Sequence, residues 1–299
     1  MSKHIFWLAS YPKSGNTLVR ALIASLFFTD DGVFDFKLLK NIPVIEDTSN
    51  LEFVKKINTQ DYNNLHKLEI LSKYWQIMQT KENLNFDGDF MFVKTHHALV
   101  KILNNSFTTK ENTLGIIYVV RDPRDVALSM SNHFNFTIEK SIDRLFKKDF
   151  GIVWNDKDNL YEDRQPPMTL ISSWENHFIS WNRYVFDCPR LIIKFEDLVY
   201  KKKETIKKII DFFINFNFKF SKLDRKIENM ITSTDFYQFK KNEKTIGFDE
   251  AVTNNSFFNK GTKDQWIDKL SNEQILRIEK TYYDLLRKLN YKINLFQNI

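Results

Sequence analysis

The chain has 299 residues, 42% of them hydrophobic, 27% charged and 15% aromatic, with a formal net charge of +6. That length holds one large or two ordinary domains, and the balance excludes a disordered, collagenous or disulfide-stapled protein. The single cysteine, Cys188, excludes an intramolecular disulfide and, set between Asp187 and Pro189, reads as a loop residue with no activating partner beside it.

Taken in chain order, the first element is an apolar strand over 5–10, followed by a short loop and a helix over 17–28. Lys13, Ser14, Gly15, Asn16 and Thr17 sit where the strand hands over to the helix. Unpaired N–H groups and the positive end of the helix dipole make such a junction an anion site. Gly15 allows close approach of the backbone, Lys13 brings a full charge, and Ser14 and Thr17 bring hydroxyl donors. A strand over 90–94 ends in Lys94-Thr95-His96, and a β-branched strand over 115–120 ends in Arg121. Asp122-Pro123 matches an N-cap with proline at the first helical position, and the helix over 123–134 carries Ser129. Arg121 at the mouth of that helix and Ser129 along its side could grip one phosphate, with Arg124 a competing candidate. Further helices are expected over 169–186, 203–214 and 271–289, with a strand over 190–195 between the first two. In 169–186, Trp174, Trp181 and Tyr184 have core spacing. Alternating strands and helices predict an α/β fold: a single domain over 1–299, a central parallel sheet flanked by helices, and a P-loop-like strand–loop–helix.

The loop at 11–17 is not a Walker A sequence, because its lysine precedes its glycine and no glycine opens it. The strand over 115–120 delivers an arginine where a P-loop NTPase would offer magnesium a carboxylate. Both features argue against a magnesium-dependent kinase or NTP hydrolase. No cluster of acidic or histidine residues has metal-ligand spacing, so no metal is expected.

These blocks resemble those of sulfotransferases that use 3′-phosphoadenosine 5′-phosphosulfate as sulfuryl donor. Tyr11-Pro-Lys-Ser-Gly-Asn-Thr17 is similar to the family's phosphosulfate loop, and Arg121 with Ser129 keeps the spacing of its 3′-phosphate segment. Lys94-Thr-His96 is similar to the triplet whose histidine is the catalytic base. Leu191 to Leu198, with Phe195-Glu-Asp, resembles a strand ending in Tyr-Glu-Asp. Thr234-Asp-Phe236 resembles Thr-Ser-Phe, and Asn259-Lys-Gly-Thr-Lys-Asp-Gln-Trp266 resembles Arg-Lys-Gly-x-x-Gly-(Asp/Gln)-Trp. The blocks run in the family's order over nearly the whole chain, and the tail over 270–291 looks most like bacterial members.

The resemblance implies sulfuryl transfer to a hydroxyl or amine of a small-molecule or carbohydrate acceptor. His96 would be the general base, Lys13 would neutralise the leaving oxygen, and Lys94 would assist the sulfonate. Ser14, Gly15, Asn16, Thr17, Arg121, Ser129, Thr234, Lys260 and Gly261 would hold the donor. Leu18 stands where many members carry a tryptophan that stacks on adenine, which passes the base to Phe195 or Phe236. Asn259 replaces an arginine and Asp264 a glycine in the third block, and Ile267 stands at the lysine position of the dimer motif, leaving a homodimer open. The segments 30–90 and 134–168 are expected to shape the acceptor pocket. The rival readings are a kinase-like or a non-catalytic nucleotide-binding protein. The basic residues are spread through helices and loops, so no nucleic-acid partner is expected. No apolar run approaches the roughly twenty residues of a membrane span. The first strand is too short for an export signal, so the expected location is cytoplasmic.

Overall fold

The structure is a computed structural model that describes residues 3–46, 56–153, 167–183, 186–248, 258 and 261–294. The backbone clusters into two compact units, one of residues 1–11, 39–118 and 148–192, the other of 12–38, 119–147 and 193–299.

The first unit is built on a four-stranded sheet of β1 (Ile5–Ser10), β2 (Met91–Thr95), β3 (Thr113–Val120) and β4 (Arg190–Lys194), in the order β2-β1-β3-β4. β1 and β2 run parallel with Ile5 opposite Met91 and Ala9 opposite Thr95. Every residue of β1 and β2 is buried. That is why they read as continuous apolar runs without the alternation of a half-exposed sheet. Trp7, Trp75, Phe107 and Trp181 pack here, with Trp7 5.5 Å from Phe107 and 6.0 Å from Trp181. An antiparallel ribbon pairs Gly151–Val153 with Met168–Leu170. The last residues of β3 and β4 lead into the second unit.

The second unit is helical. Its elements are α1 (Asn16–Phe28), α2 (Pro123–Phe134), α3 (Ile138–Phe146), α5 (Phe195–Tyr200), α6 (Lys202–Ile214), α7 (Leu223–Ser233), α8 (Phe236–Ile246) and α9 (Asn272–Lys288). The missing number, α4 (Trp174–Asn182), belongs to the first unit. Asp122 caps α2 by accepting from the Arg124 N–H, with Pro123 at the first helical position as expected. Ser271 and Gln274 form a capping box at the start of α9.

Four strands and four helices lie within a few residues of their expected bounds. The helix expected over 169–186 is a correction. Residues Met168–Leu170 are a strand, Ser172 adopts a left-handed φ of 67°, and Ser173 caps a helix that begins only at Trp174. Pairing with Gly151–Val153 and the serine cap outcompete the helical pattern there. Trp174 and Trp181 are buried as expected, while Tyr184 lies outside the described residues. The helices α3, α5, α7 and α8 were not foreseen. Among the described residues no helix is long and apolar enough to cross a membrane.

Candidate active site

In the second unit, the loop leading to α1 is held in conformations that few residues adopt. Lys13 has φ 66° and Gly15, the N-cap of α1, has φ 100°. A non-glycine residue with positive φ is uncommon, and such strain gathers where a backbone must present its N–H groups to a ligand. No side chain caps α1 and its first turn holds no acidic residue. A helix start of this kind keeps its positive dipole end for an anion.

Arg121 meets this loop. Its guanidinium donates to the Lys13 carbonyl at 3.1 Å and to the Thr262 carbonyl at 3.4 Å, and it lies over the Phe195 ring at 4.3 Å. Burial pulls its pKa below the ordinary arginine range, opposed by the nearby Asp125, Glu196 and Asp122 carboxylates. Gly15 also packs on Phe195: a Cβ added there would stand 2.5 Å from the ring. Gly261, with φ 61°, sits equally close to the Phe236 ring. Thus three separate sequence blocks, around 13–15, 121 and 261–262, converge on one place.

Two donors of this cluster are buried with no hydrogen-bond partner among the described residues: Ser14 Oγ and Arg121 Nε. Burying a donor unsatisfied costs about 1–3 kcal/mol, and an anion bound between the helix start and Arg121 would satisfy both. The residues present therefore fit a phosphate-bearing ligand.

Not every expected binding residue joins this cluster. Ser129 is half-buried on α2, two turns from the helix start at which Arg121 stands. The Thr234 hydroxyl donates to the Met230 carbonyl at 2.6 Å, and Lys202 Nζ donates to the Thr234 carbonyl at 2.9 Å, so Thr234 is engaged in capping α7. Lys260, with Asn259, lies outside the described residues. Arg124 is corrected as an anion candidate. Its fork is buried and paired with Asp122 at 2.6 Å and Glu279 at 2.5 Å, which consumes its charge.

Asp125 was missed by the sequence reading. Its two carboxylate oxygens accept from the backbone N–H groups of Asp264 at 2.9 Å and Trp266 at 3.1 Å, tying down the loop that follows Gly261. Burial pushes its pKa up to about 6, against the pull of Arg121. Asp264, which stands where the resembled family has glycine, has φ 59°. The loop therefore keeps the glycine-like backbone and bears the cost of a side chain there.

In the first unit, His96 follows β2 directly and is buried. Its Nδ1 lies 2.8 Å from the Ser10 carbonyl oxygen. A carbonyl can only accept, so the proton sits on Nδ1 and Nε2 carries a lone pair. The backbone of His96 is gripped from two sides. His177 Nε2–H donates to its carbonyl at 3.0 Å, and its N–H donates to Glu46 Oε1 at 2.6 Å. His177 in turn accepts from the Tyr118 hydroxyl at 2.8 Å, and burial pushes its pKa down to about 3. Lys94 is buried on β2, and its charge acts on Glu46. Glu46, His177 and Tyr118 carried no local signal, since their partners lie tens of residues away in the chain.

Among the described residues no group of three or more His, Cys, Asp or Glu side chains could hold a metal ion. Among solved structures, the chain is similar to the mouse sulfotransferase SULT7A1 complexed with PAP, at 19% identity over 96% of this chain and 86% of that one, with a TM-score of 0.60. It is also similar to retinol dehydratase in complex with androsterone and inactive cofactor PAP, at 19% identity over 96% of this chain and 81% of that one, with a TM-score of 0.59. Likeness at this identity speaks to the fold. The sulfotransferase domain model matches residues 3–290, and the chain belongs to the sulfotransferase domain family.

Proposed function

We propose that the protein transfers a sulfuryl group from 3′-phosphoadenosine 5′-phosphosulfate to a hydroxyl or amine of a small acceptor. The observation that carries this reading is the pair of buried, unpartnered donors, Ser14 Oγ and Arg121 Nε, at an uncapped helix start. When bound, the donor supplies a sulfuryl group on a phosphate leaving group. The chain's part is to hold it and to manage charge and a proton. The N–H groups around 14–17, with the Ser14 and Thr17 hydroxyls, would hold the phosphosulfate end, and Lys13 would offset charge on the leaving oxygen. Arg121, with Ser129 and the Gly261 loop, would hold the 3′-phosphate; Lys260 belongs to the same proposal. Phe195 has Arg121 on its ring and Gly15 against it. Phe236, half-buried, is the better placed of the two rings to carry adenine.

His96 would take the acceptor's proton at Nε2. The Nδ1–H bond to Ser10 supports this, because it leaves Nε2 as the basic atom and orients the ring. Lys94 would assist at the sulfonate. PAP-bound relatives support the choice of donor.

Calorimetry with 3′-phosphoadenosine 5′-phosphate tests the reading. We expect binding that weakens by about 10- to 150-fold in Arg121→Met, the worth of a charged hydrogen bond. No binding by the native chain, or equal binding by the variant, would refute it. Transfer of labelled sulfate then separates an enzyme from a non-catalytic nucleotide binder.

A further inference from the structure

Within the second unit, the loop over 261–266 is fastened by side chains from two other elements. Asp125, in the first turn of α2, is 1% exposed, and its two oxygens accept from the N–H groups of Asp264 at 2.9 Å and Trp266 at 3.1 Å. Tyr200, the last residue of α5, accepts from the Lys263 N–H at 3.3 Å, and Lys263 Nζ stands over its ring at 4.9 Å. Two side chains thus hold three N–H groups between positions 263 and 266.

The loop needs this holding. Gly261 at φ 61° and Asp264 at φ 59° are both left-handed, a conformation an aspartate adopts against a steric cost. Charge-assisted bonds to a buried carboxylate offset that cost. What they steady is the Thr262 carbonyl, which accepts from Arg121 at 3.4 Å and from Gln265 Nε2 at 3.0 Å. The fastened backbone is therefore continuous with Gly261 and in contact with Arg121, the two groups assigned above to the 3′-phosphate. A carboxylate is an awkward tie at this place, because its charge repels any anion that Arg121 binds. An asparagine of the same shape would avoid the repulsion. It offers one acceptor oxygen where the loop presents two N–H groups, and would set its own N–H against one of them. Of the two, only the carboxylate answers both.

We propose that Asp125 and Tyr200 are positioning residues for recognition of the donor's 3′-phosphate. They fix the backbone over 263–266, so that Gly261 and the Thr262 carbonyl hold Arg121 in place for the phosphate. Both act through the loop and not on the reacting atoms. The inference rests on the function proposed above.

The test is calorimetry on the full chain with 3′-phosphoadenosine 5′-phosphate and with adenosine 5′-phosphate, which lacks the 3′-phosphate. At about pH 7.5 the Asp125 carboxyl is ionised. Asp125→Asn is expected to weaken the bisphosphate by about tenfold or more and to change the monophosphate by less than about twofold. Amide hydrogen exchange at Asp264 and Trp266 should quicken in the same variant. Tyr200→Phe keeps the ring under Lys263 at a half-exposed position, and should show the same selectivity at about two- to fivefold. Bisphosphate binding that is unchanged or tighter in Asp125→Asn, as relief of charge alone would give, overturns the role of Asp125. An equal loss for both nucleotides marks general loosening and overturns it too. Unchanged binding in Tyr200→Phe removes Tyr200. Should circular dichroism show Asp125→Asn unfolded, the ratio of the two nucleotides in Tyr200→Phe decides whether the fastened loop serves the 3′-phosphate. A native chain that does not bind the bisphosphate refutes the proposed function and this inference with it, whereas native binding with unselective variants refutes the inference alone.

Discussion

Replacing His177 by Gln tests how burial of the histidine cluster is linked to stability. His177 is fully buried, with Nε2–H on the His96 carbonyl and Nδ1 accepting from Tyr118. Its pKa falls from 6.5 to about 3, chiefly by burial. A histidine with a lowered folded pKa binds fewer protons folded than unfolded between those values. Its contribution is therefore complete above the unfolded pKa and is lost as pH falls below it. At about 1.4 kcal/mol per unit, acidification from about pH 7.5 to about pH 4.5 removes roughly 2.7 kcal/mol through His177. His97, whose pKa is pushed down to about 4 by burial, loses nearly as much, roughly 2.5 kcal/mol on the same arithmetic. Together they are a large part of a total stability of about 5–15 kcal/mol. Glutamine offers a donor and an acceptor in the same places but does not titrate. Urea unfolding of both proteins at the two pH values isolates the effect, because other groups cancel in the difference. His177→Gln is expected to lose about 2.7 kcal/mol less than the native chain on acidification, whatever its absolute stability. Equal losses would refute the claim that His177 is buried in its neutral form.

Three further outcomes follow from the same geometry. Asp125 has its pKa raised from 3.8 to about 6 by burial, so the folded state holds that proton longer and stability falls by about 3 kcal/mol as pH rises through that window. Asp125→Asn should remove the part of this fall that lies between about pH 4 and 6, roughly 2 kcal/mol, in urea titrations at those two values, and an unchanged slope would count against it. Gly15→Ala combines a φ of 100° with a Cβ 2.5 Å from the Phe195 ring, and should cost about 2–4 kcal/mol in denaturant midpoint analysis; native-like stability would show that the ring yields freely. His96→Ala should keep nucleotide binding and reduce sulfate transfer by about 10²–10⁴-fold, the usual worth of a general base; near-native turnover would remove His96 from the reaction.

The sequence alone was enough for the elements whose cause is local. β1, β2 and β3 are short apolar runs, and α2 is announced by Asp122-Pro123, so each appears at nearly its expected bounds. The loop at 11–17 stood out in the sequence because a strand–loop–helix junction, with its glycine and lysine, is written in consecutive residues. Only the tertiary structure decided which charges remain for a ligand. Arg121 and Arg124 look alike in the chain, yet Arg124 is consumed by Asp122 and Glu279 while Arg121 keeps an unpartnered Nε beside the loop. The same holds for Asp125, Glu46 and His177, whose roles arise from bonds spanning 139, 50 and 81 positions. Hydrophobic period and capping chemistry act within a few residues and can be read along the chain. Burial, proton placement and the satisfaction of polar atoms depend on neighbours that only folding brings together.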